Sequence, residues 1–271
     1  MDEINKDSHY YTTRSEIGSR KSKDHKLFNR IAQDYAKKDI VPSTAVVRKH
    51  KLIKSLDFLL DKKKSLGTIV EIGCGIGAPS WHLEGHYDEY VGVDYSEKII
   101  EQAELQKRND KVKFIVSDLL NLNINLKADL ILADGVLHHI TDLDILMKSL
   151  KSVAVPGAYF VAREPHRMNP IVRFLRWIRK KVDASYSEEQ HFFKPSELVD
   201  LLKRNDFEDI SCKFIGFFST PFGEVILKPH WLFLRISKLT VLIDSFLEAI
   251  LPHFLKSMSW DVVVRAKFPQ V

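Results

Sequence analysis

The sequence predicts an α/β fold: a doubly wound parallel sheet with helices on both faces and helical cap insertions. Short β-rich runs at 68–72, 90–94, 111–117, 128–133 and 158–164 alternate with segments of helical spacing, the pattern of strands joined by crossover helices. The first run leads into a glycine-rich turn, VEIGCGIGAPS at 70–80. At 271 residues, 45% hydrophobic and 28% charged, the chain is ordinary globular material, long enough for one large domain with a sizeable core.

The elements follow in chain order. Residues 1–24 are polar and charged, with a basic run at Arg20, Lys21 and Lys23, and read as a flexible tail ahead of a domain covering 25–271. Leu27, Ile31 and Tyr35 recur at helical spacing within 26–38, and a second helix is expected over 45–60. Intervening helices are expected at 96–108, 143–153 and 196–205, and two late strands at 212–218 and 260–268. About forty residues separate these late strands, too many for a hairpin loop. That interval, 219–259, is strongly apolar but broken by Arg235, Lys238, Asp244 and Glu248. It reads as a pair of core-packing helices, with a substrate lid or membrane-touching element as the other reading.

Composition removes several classes. Two cysteines, Cys74 and Cys212, exclude a disulfide framework and a multi-cysteine metal site, and no metal is expected. The polar N-terminus lacks the apolar core of a signal peptide. Charges interrupt every long apolar stretch, which argues against a membrane-spanning helix. A cytoplasmic protein is expected. The net charge of +5 admits anionic partners without requiring nucleic acid.

The chemistry gathers at the ends of the first four strands. Gly73, Gly75 and Gly77 follow the first strand, allowing a sharp bend and close approach of a ligand. Their spacing differs from the dinucleotide fingerprint, and Glu71 beside them suits a cationic ligand better than a pyrophosphate. The trio alone also fits a plain strand-to-helix turn. Asp94 ends the second strand, 23 residues beyond Glu71. In a doubly wound sheet these two ends are neighbours, and a carboxylate there can accept both hydroxyls of a ribose. Ser117–Asp118 after the third strand and ADGVLHHI (133–140) after the fourth place further polar groups at the same edge.

With FNRIAQDY (28–35), these segments resemble the class I S-adenosylmethionine-dependent methyltransferases, most closely the small-molecule branch that includes the ubiquinone/menaquinone and biotin-pathway enzymes. The resemblance implies a Rossmann-like sheet of seven strands, mostly parallel, with the last antiparallel. It implies S-adenosyl-L-methionine as cofactor and direct in-line methyl transfer. Gly73, Gly75 and Gly77 would pass under the methionine part and ribose, and Glu71 would help hold the amino-acid end. Asp94 would bind the ribose hydroxyls, with Tyr95 flanking the adenine. Asp118 and the Leu119 amide would bind the adenine edge. Asp134 and Gly135 would line the sulfonium, and Tyr35 would close over it.

The acceptor is expected at two insertions, about 165–194 and 219–259. The first carries Arg167, Arg173, Arg176, Arg179, Lys180 and Lys181 with no acid between Pro165 and Val182, and reads as a basic amphipathic helix from Pro170. Arg167, Arg173 and Arg176 are the substrate-binding candidates. A small-molecule or lipid-linked acceptor, anionic and amphipathic, fits this charge, as does peripheral contact with the inner membrane surface. For a hydroxyl acceptor a histidine suits as base near neutral pH; His166 leads, then His191, then His139. The rivals are a nucleic-acid methyltransferase and an NAD-dependent oxidoreductase. Against the first, the segment after the fourth strand lacks an Asn/Asp-Pro-Pro-aromatic motif and no nucleic-acid partner is expected; against the second stand the glycine spacing and Glu71.

Overall fold

The structure, a computed structural model, describes residues 14–170, 172–174, 177 and 192–270. Two helices, α1 (Arg14–Ile40) and α2 (Pro42–Leu60), precede the alternating part. The strands are β1 (Thr68–Ile72), β2 (Glu89–Asp94), β3 (Val112–Val116), β4 (Ala128–Asp134), β5 (Ala154–Pro165), β6 (Glu208–Ile215) and β7 (Asp261–Lys267). Between them run α3 (Ala78–His82), α4 (Glu97–Leu105), α5 (Leu143–Val153), α6 (Pro195–Arg204), α7 (Thr220–Glu224), α8 (His230–Ile250) and α9 (His253–Lys256). They form one seven-stranded sheet in the order β3-β2-β1-β4-β5-β7-β6. All pairs are parallel except those of β7, which is antiparallel to both β5 and β6.

Alternation along the strands splits the core in two, because successive side chains leave opposite faces. Val70, Ile72, Val91, Val93, Ile131 and Phe160 pack with Leu146 and Leu150 of α5 and Leu198 and Leu201 of α6. Ile69, Tyr90, Leu130, Leu132, Val161 and Val263 pack on the other face with Leu52, Leu56 and Leu59 of α2. Both faces are thus covered, as a largely parallel sheet requires.

Three differences from the sequence reading have physical causes. Helix α1 begins at Arg14, within the segment read as a tail; its first turns are polar and offered no apolar stripe to detect. Strand β6 starts at Glu208 and stops at Ile215, before Gly216 with φ of 76°. It is an edge strand, so its early residues are solvated and polar, and the apolar run Phe217–Phe218 lies in the turn beyond it.

The third difference is a correction. The 219–259 interval does not form core-packing helices. The buried residues of α8 are Ser237, Asp244 and Glu248, while Trp231, Leu239, Leu242, Phe246 and Ile250 are exposed. The acids face inward because the turn after β6 presents backbone donors. The Asp244 carboxylate accepts the N–H groups of Phe217 at 3.0 Å, Phe218 at 2.8 Å and Ser219 at 3.0 Å, and the Ser219 hydroxyl at 2.6 Å. Glu248 accepts the N–H of Gly216 at 3.0 Å.

Asp244 therefore fastens α8 to the sheet. Asp244→Leu leaves these donors without their acceptor, each costing about 1–3 kcal/mol if it stays buried. Urea unfolding of the variant should show a loss of about 3 kcal/mol or more. An unchanged midpoint would mean that water replaces the carboxylate there.

Candidate active site

Parallel strands bring the ends of β1, β2, β3 and β4 to one edge, and the glycine turn lies across it. Gly73, Gly75 and Gly77 have φ of 63°, 55° and 71°, in the left-handed region that side chains avoid. The three serve different ends. A Cβ at Gly73 would lie 2.3 Å from Val136, and one at Gly77 2.3 Å from Phe114, so the first permits packing against the turn after β4 and the second against β3. A Cβ at Gly75 would meet only the Tyr35 ring, at 3.3 Å. Gly75 thus faces a cleft that Tyr35, Glu71 and Asp134 also line.

Asp94 ties this turn to β2. Its Oδ2 accepts the Gly75 N–H at 3.2 Å and its Oδ1 the Ser96 N–H at 3.0 Å. Burial pushes the carboxyl up to about 6, against the lowering effect of those backbone donors. Helix α1 closes on the same corner: the Ser96 hydroxyl donates to Asn29 Oδ1 at 2.5 Å. The half-buried Tyr95 ring lies 5.4 Å from His25. Asp118 caps the short turn Leu119–Asn121, accepting the Leu120 N–H at 3.2 Å, and Leu119 is buried.

Glu71 is buried and accepts a hydrogen bond from the Tyr90 hydroxyl. Burial drives its carboxyl well above the ordinary range despite that bond, so a cation arriving beside it would favour ionisation. Asp134 pairs with Arg163 of β5. Gly135 has φ of 70°, and a Cβ there would meet nothing within 4 Å, so it borders open space.

Several residues at this edge were missed. Asp39 and Arg48 pair across the α1–α2 corner and both line the cleft. Asp39 stands one helical turn beyond Tyr35, a spacing that could have flagged it. Arg48 carries no local signal, because only the fold of α2 brings it there. His82 also lines the cleft. Burial first, then Lys49, Arg108 and Arg48, hold its ring down at about 4, so it is neutral at pH 7. The fully buried Glu164 accepts the N–H groups of Val136 at 2.9 Å and Leu137 at 2.7 Å, and bonds His138 Nδ1 at 2.7 Å. It sets the course of the turn after β4.

The acceptor candidates fare differently. His166 is fully buried, and both ring nitrogens are engaged: the Met168 N–H donates to Nδ1 at 3.2 Å, and Nε2 lies 3.1 Å from Ser259 Oγ. This is a structural position, and His166 is not retained as a base. The His139 ring lies beside His138, tilted by 40° with centroids 4.2 Å apart. Arg167 pairs with Glu197 of α6, so its side chain is committed there. Arg173 is exposed. His191 and Arg176 lie outside the described residues, as do Arg179, Lys180 and Lys181.

A family model described as a methyltransferase domain matches residues 47–212, more than half of the chain. The chain belongs to the methyltransferase domain family. Over 185 residues it is 28% identical to the ubiquinone biosynthesis O-methyltransferase of Pelagibacter ubique, covering 66% of this chain and 72% of that one. Its fold is that of an S-adenosylmethionine-dependent methyltransferase of Thermotoga maritima, described as a possible histamine N-methyltransferase, with a TM-score of 0.59 at 19% identity over 89% of this chain and 97% of the other. It is also that of the magnesium protoporphyrin IX methyltransferase of Synechocystis, with a TM-score of 0.59 at 14% identity over 92% and 99%. The Synechocystis structure holds bound S-adenosylhomocysteine, what remains of S-adenosylmethionine once its methyl has left. The edge suits that cofactor: a Gly75 backbone open to the cleft, a carboxylate at the end of β2, and open space at Gly135.

Two outcomes follow. Gly75→Val should abolish S-adenosylhomocysteine binding in calorimetry while leaving far-ultraviolet circular dichroism near native; tight binding would make the loop a plain turn. Asp94→Ala should weaken binding by about 1.5–3 kcal/mol for each charge-assisted bond lost. Because ribose hydroxyls donate to the ionised carboxylate, wild-type affinity should rise with pH through about 6 and level off above it. Below that pH it should fall by up to about tenfold per unit. Asp94→Ala should flatten this profile.

Proposed function

We propose that the chain methylates a small-molecule or lipid-linked acceptor with an anionic part and an apolar part, by direct in-line transfer from S-adenosylmethionine. When bound, the cofactor supplies an electrophilic methyl on a sulfonium. The chain's own part is to bind, orient and exclude water. Asp94 would take the ribose, Tyr95, Asp118 and the Leu119 amide the adenine, and Gly73, Gly75 and Gly77 the backbone side. Glu71 would hold the amino-acid end, with Asp134, Gly135 and Tyr35 around the methyl.

The observation that carries the acceptor reading is a chain of charges from the cofactor cleft toward the second insertion. Arg163 of β5 bonds Asp134 and lies 3.4 Å from Asp261. Lys51 of α2 lies 2.7 Å from Asp261. Beyond them, burial alone would raise Glu224 of α7, but Arg48, Lys51, Lys38 and Arg163 hold it down at about 2. Arg163, Lys51 and Arg48 already face the carboxylates of Asp134, Asp261 and Asp39, so an anionic acceptor group would take its place by competing with those acids, and arginine could bind it bidentately. The similar Pelagibacter protein, named for ubiquinone biosynthesis, supports an apolar acceptor. With His166 committed elsewhere, no base is assigned, which suits a nucleophile that attacks unaided.

The test is transfer of a tritiated methyl group from S-adenosylmethionine into a cell extract, followed by partition. Label should appear in the organic phase on an acidic lipid-soluble compound. Label confined to RNA or protein would contradict the proposal. Arg163→Met should lower transfer at least tenfold, since removing one partner of a buried pair leaves charges uncompensated.

A further inference from the structure

Helix α8 is built inside out. At 3.6 residues per turn, the buried Ser237, Asp244 and Glu248 fall on one side. On the opposite side stand Trp231, Leu239, Leu242, Phe246 and Ile250, with exposures of 62, 58, 68, 62 and 57%. Phe254 of α9, four residues beyond the end of α8, is 73% exposed as well. Contiguous apolar surface of this kind is rarely left to water.

Charge is sorted the same way. In 219–259 the acids are Glu224, Asp244 and Glu248, and the lysines and arginines are Lys228, Arg235, Lys238 and Lys256. Asp244 and Glu248 are buried against the turn after β6, and Glu224 answers the cations of α1 and α2. Lys228, Arg235 and Lys238 are exposed, and Arg235 sits 5.5 Å over the Trp231 ring. The outward face of α8 therefore offers apolar side chains flanked by cations and no acid.

We propose that the outward face of α8 is a docking surface for an anionic lipid bilayer. The helix lies on the membrane, with Leu239, Leu242 and Phe246 in the acyl boundary and Arg235 and Lys238 at the phosphates. It does not cross: among the described residues no helix is long and apolar enough to span, and Asp244 and Glu248 are fixed to the sheet. Charge decides between a bilayer and a second copy of the chain. An isologous contact through α8 would bury Arg235 and Lys238 against a face with no acid to pair them, whereas anionic headgroups supply the missing charge. Docking rests on the lipid-linked acceptor reading for its purpose but not for its geometry. Its effect would be to set the mouth beside α2 and the turn after β6 close to the bilayer.

Flotation of the full chain with phosphatidylcholine vesicles, with and without phosphatidylglycerol, tests this. Wild type should float with the anionic vesicles. The double variant Leu242→Glu/Phe246→Glu should not, and Arg235→Gln/Lys238→Gln should partition about thirtyfold less. All four sites are exposed or partly exposed on the outer face, so thermal midpoint and S-adenosylhomocysteine affinity should match wild type. Wild type that ignores both vesicles, or a glutamate variant that floats unchanged, would overturn the proposal. So would a wild-type dimer in light scattering that the glutamate variant turns into monomer, since that gives the face to a second copy. Methyl transfer to a water-soluble acceptor by a chain that still floats would sink the acceptor reading and leave docking standing.

Discussion

Asp94 makes the bond on which the cofactor edge depends. Val93 lies beside Ile72 in the β1–β2 register, so the next residue's carboxylate reaches the glycine turn and accepts the Gly75 N–H. The turn can offer that donor only because three glycines hold φ values that other residues resist, with Gly73 pressed on Val136 and Gly77 on Phe114. The same carboxylate takes the Ser96 N–H, and Ser96 in turn holds Asn29 of α1. One buried acid thus fixes the floor, one wall and the covering helix. A site held this way loses little ordering entropy when a ligand arrives.

The antiparallel run of β7 accounts for the cluster of charges at the carboxyl end of β5. Because β7 opposes β5, its first residue, Asp261, lies beside Pro165 at the carboxyl end of β5. A parallel strand would have put its last residue there instead. Asp261 then links Lys51 of α2 with Arg163 of β5, and Arg163 reaches Asp134 at the end of β4. Buried pairs of this kind contribute little net stability but are costly to break singly. They also give this end of the sheet a charge pattern set by α2 and β7, elements outside the glycine-turn motif.

Much of this was legible in the sequence because it is local. The strands β1 to β4, the glycine turn, Asp94 and Asp118 each sit beside an apolar run that fixes their place at the sheet edge. What was not legible depends on long-range packing. Arg48 joins the cleft only because α2 folds over the sheet. His166 looked like a base from its place after β5, yet Ser259, 93 positions on, occupies its Nε2. The 219–259 interval reads as core in the sequence because its composition is apolar. Composition does not say which face turns inward, and here three acceptor-hungry backbone amides after β6 drew the acids in. Strand β6 shifted for a related reason, since an edge strand need not be apolar throughout.

A crystal structure with S-adenosylhomocysteine tests the role of Asp94 most directly. Both ribose hydroxyls should lie within hydrogen-bond distance of the Asp94 carboxylate, the adenine between Tyr95 and the Asp118–Leu119 turn, and the homocysteine over Gly75 toward Glu71. Density for the ligand elsewhere, or a ribose that leaves Asp94 bound only to Gly75 and Ser96, would contradict that role.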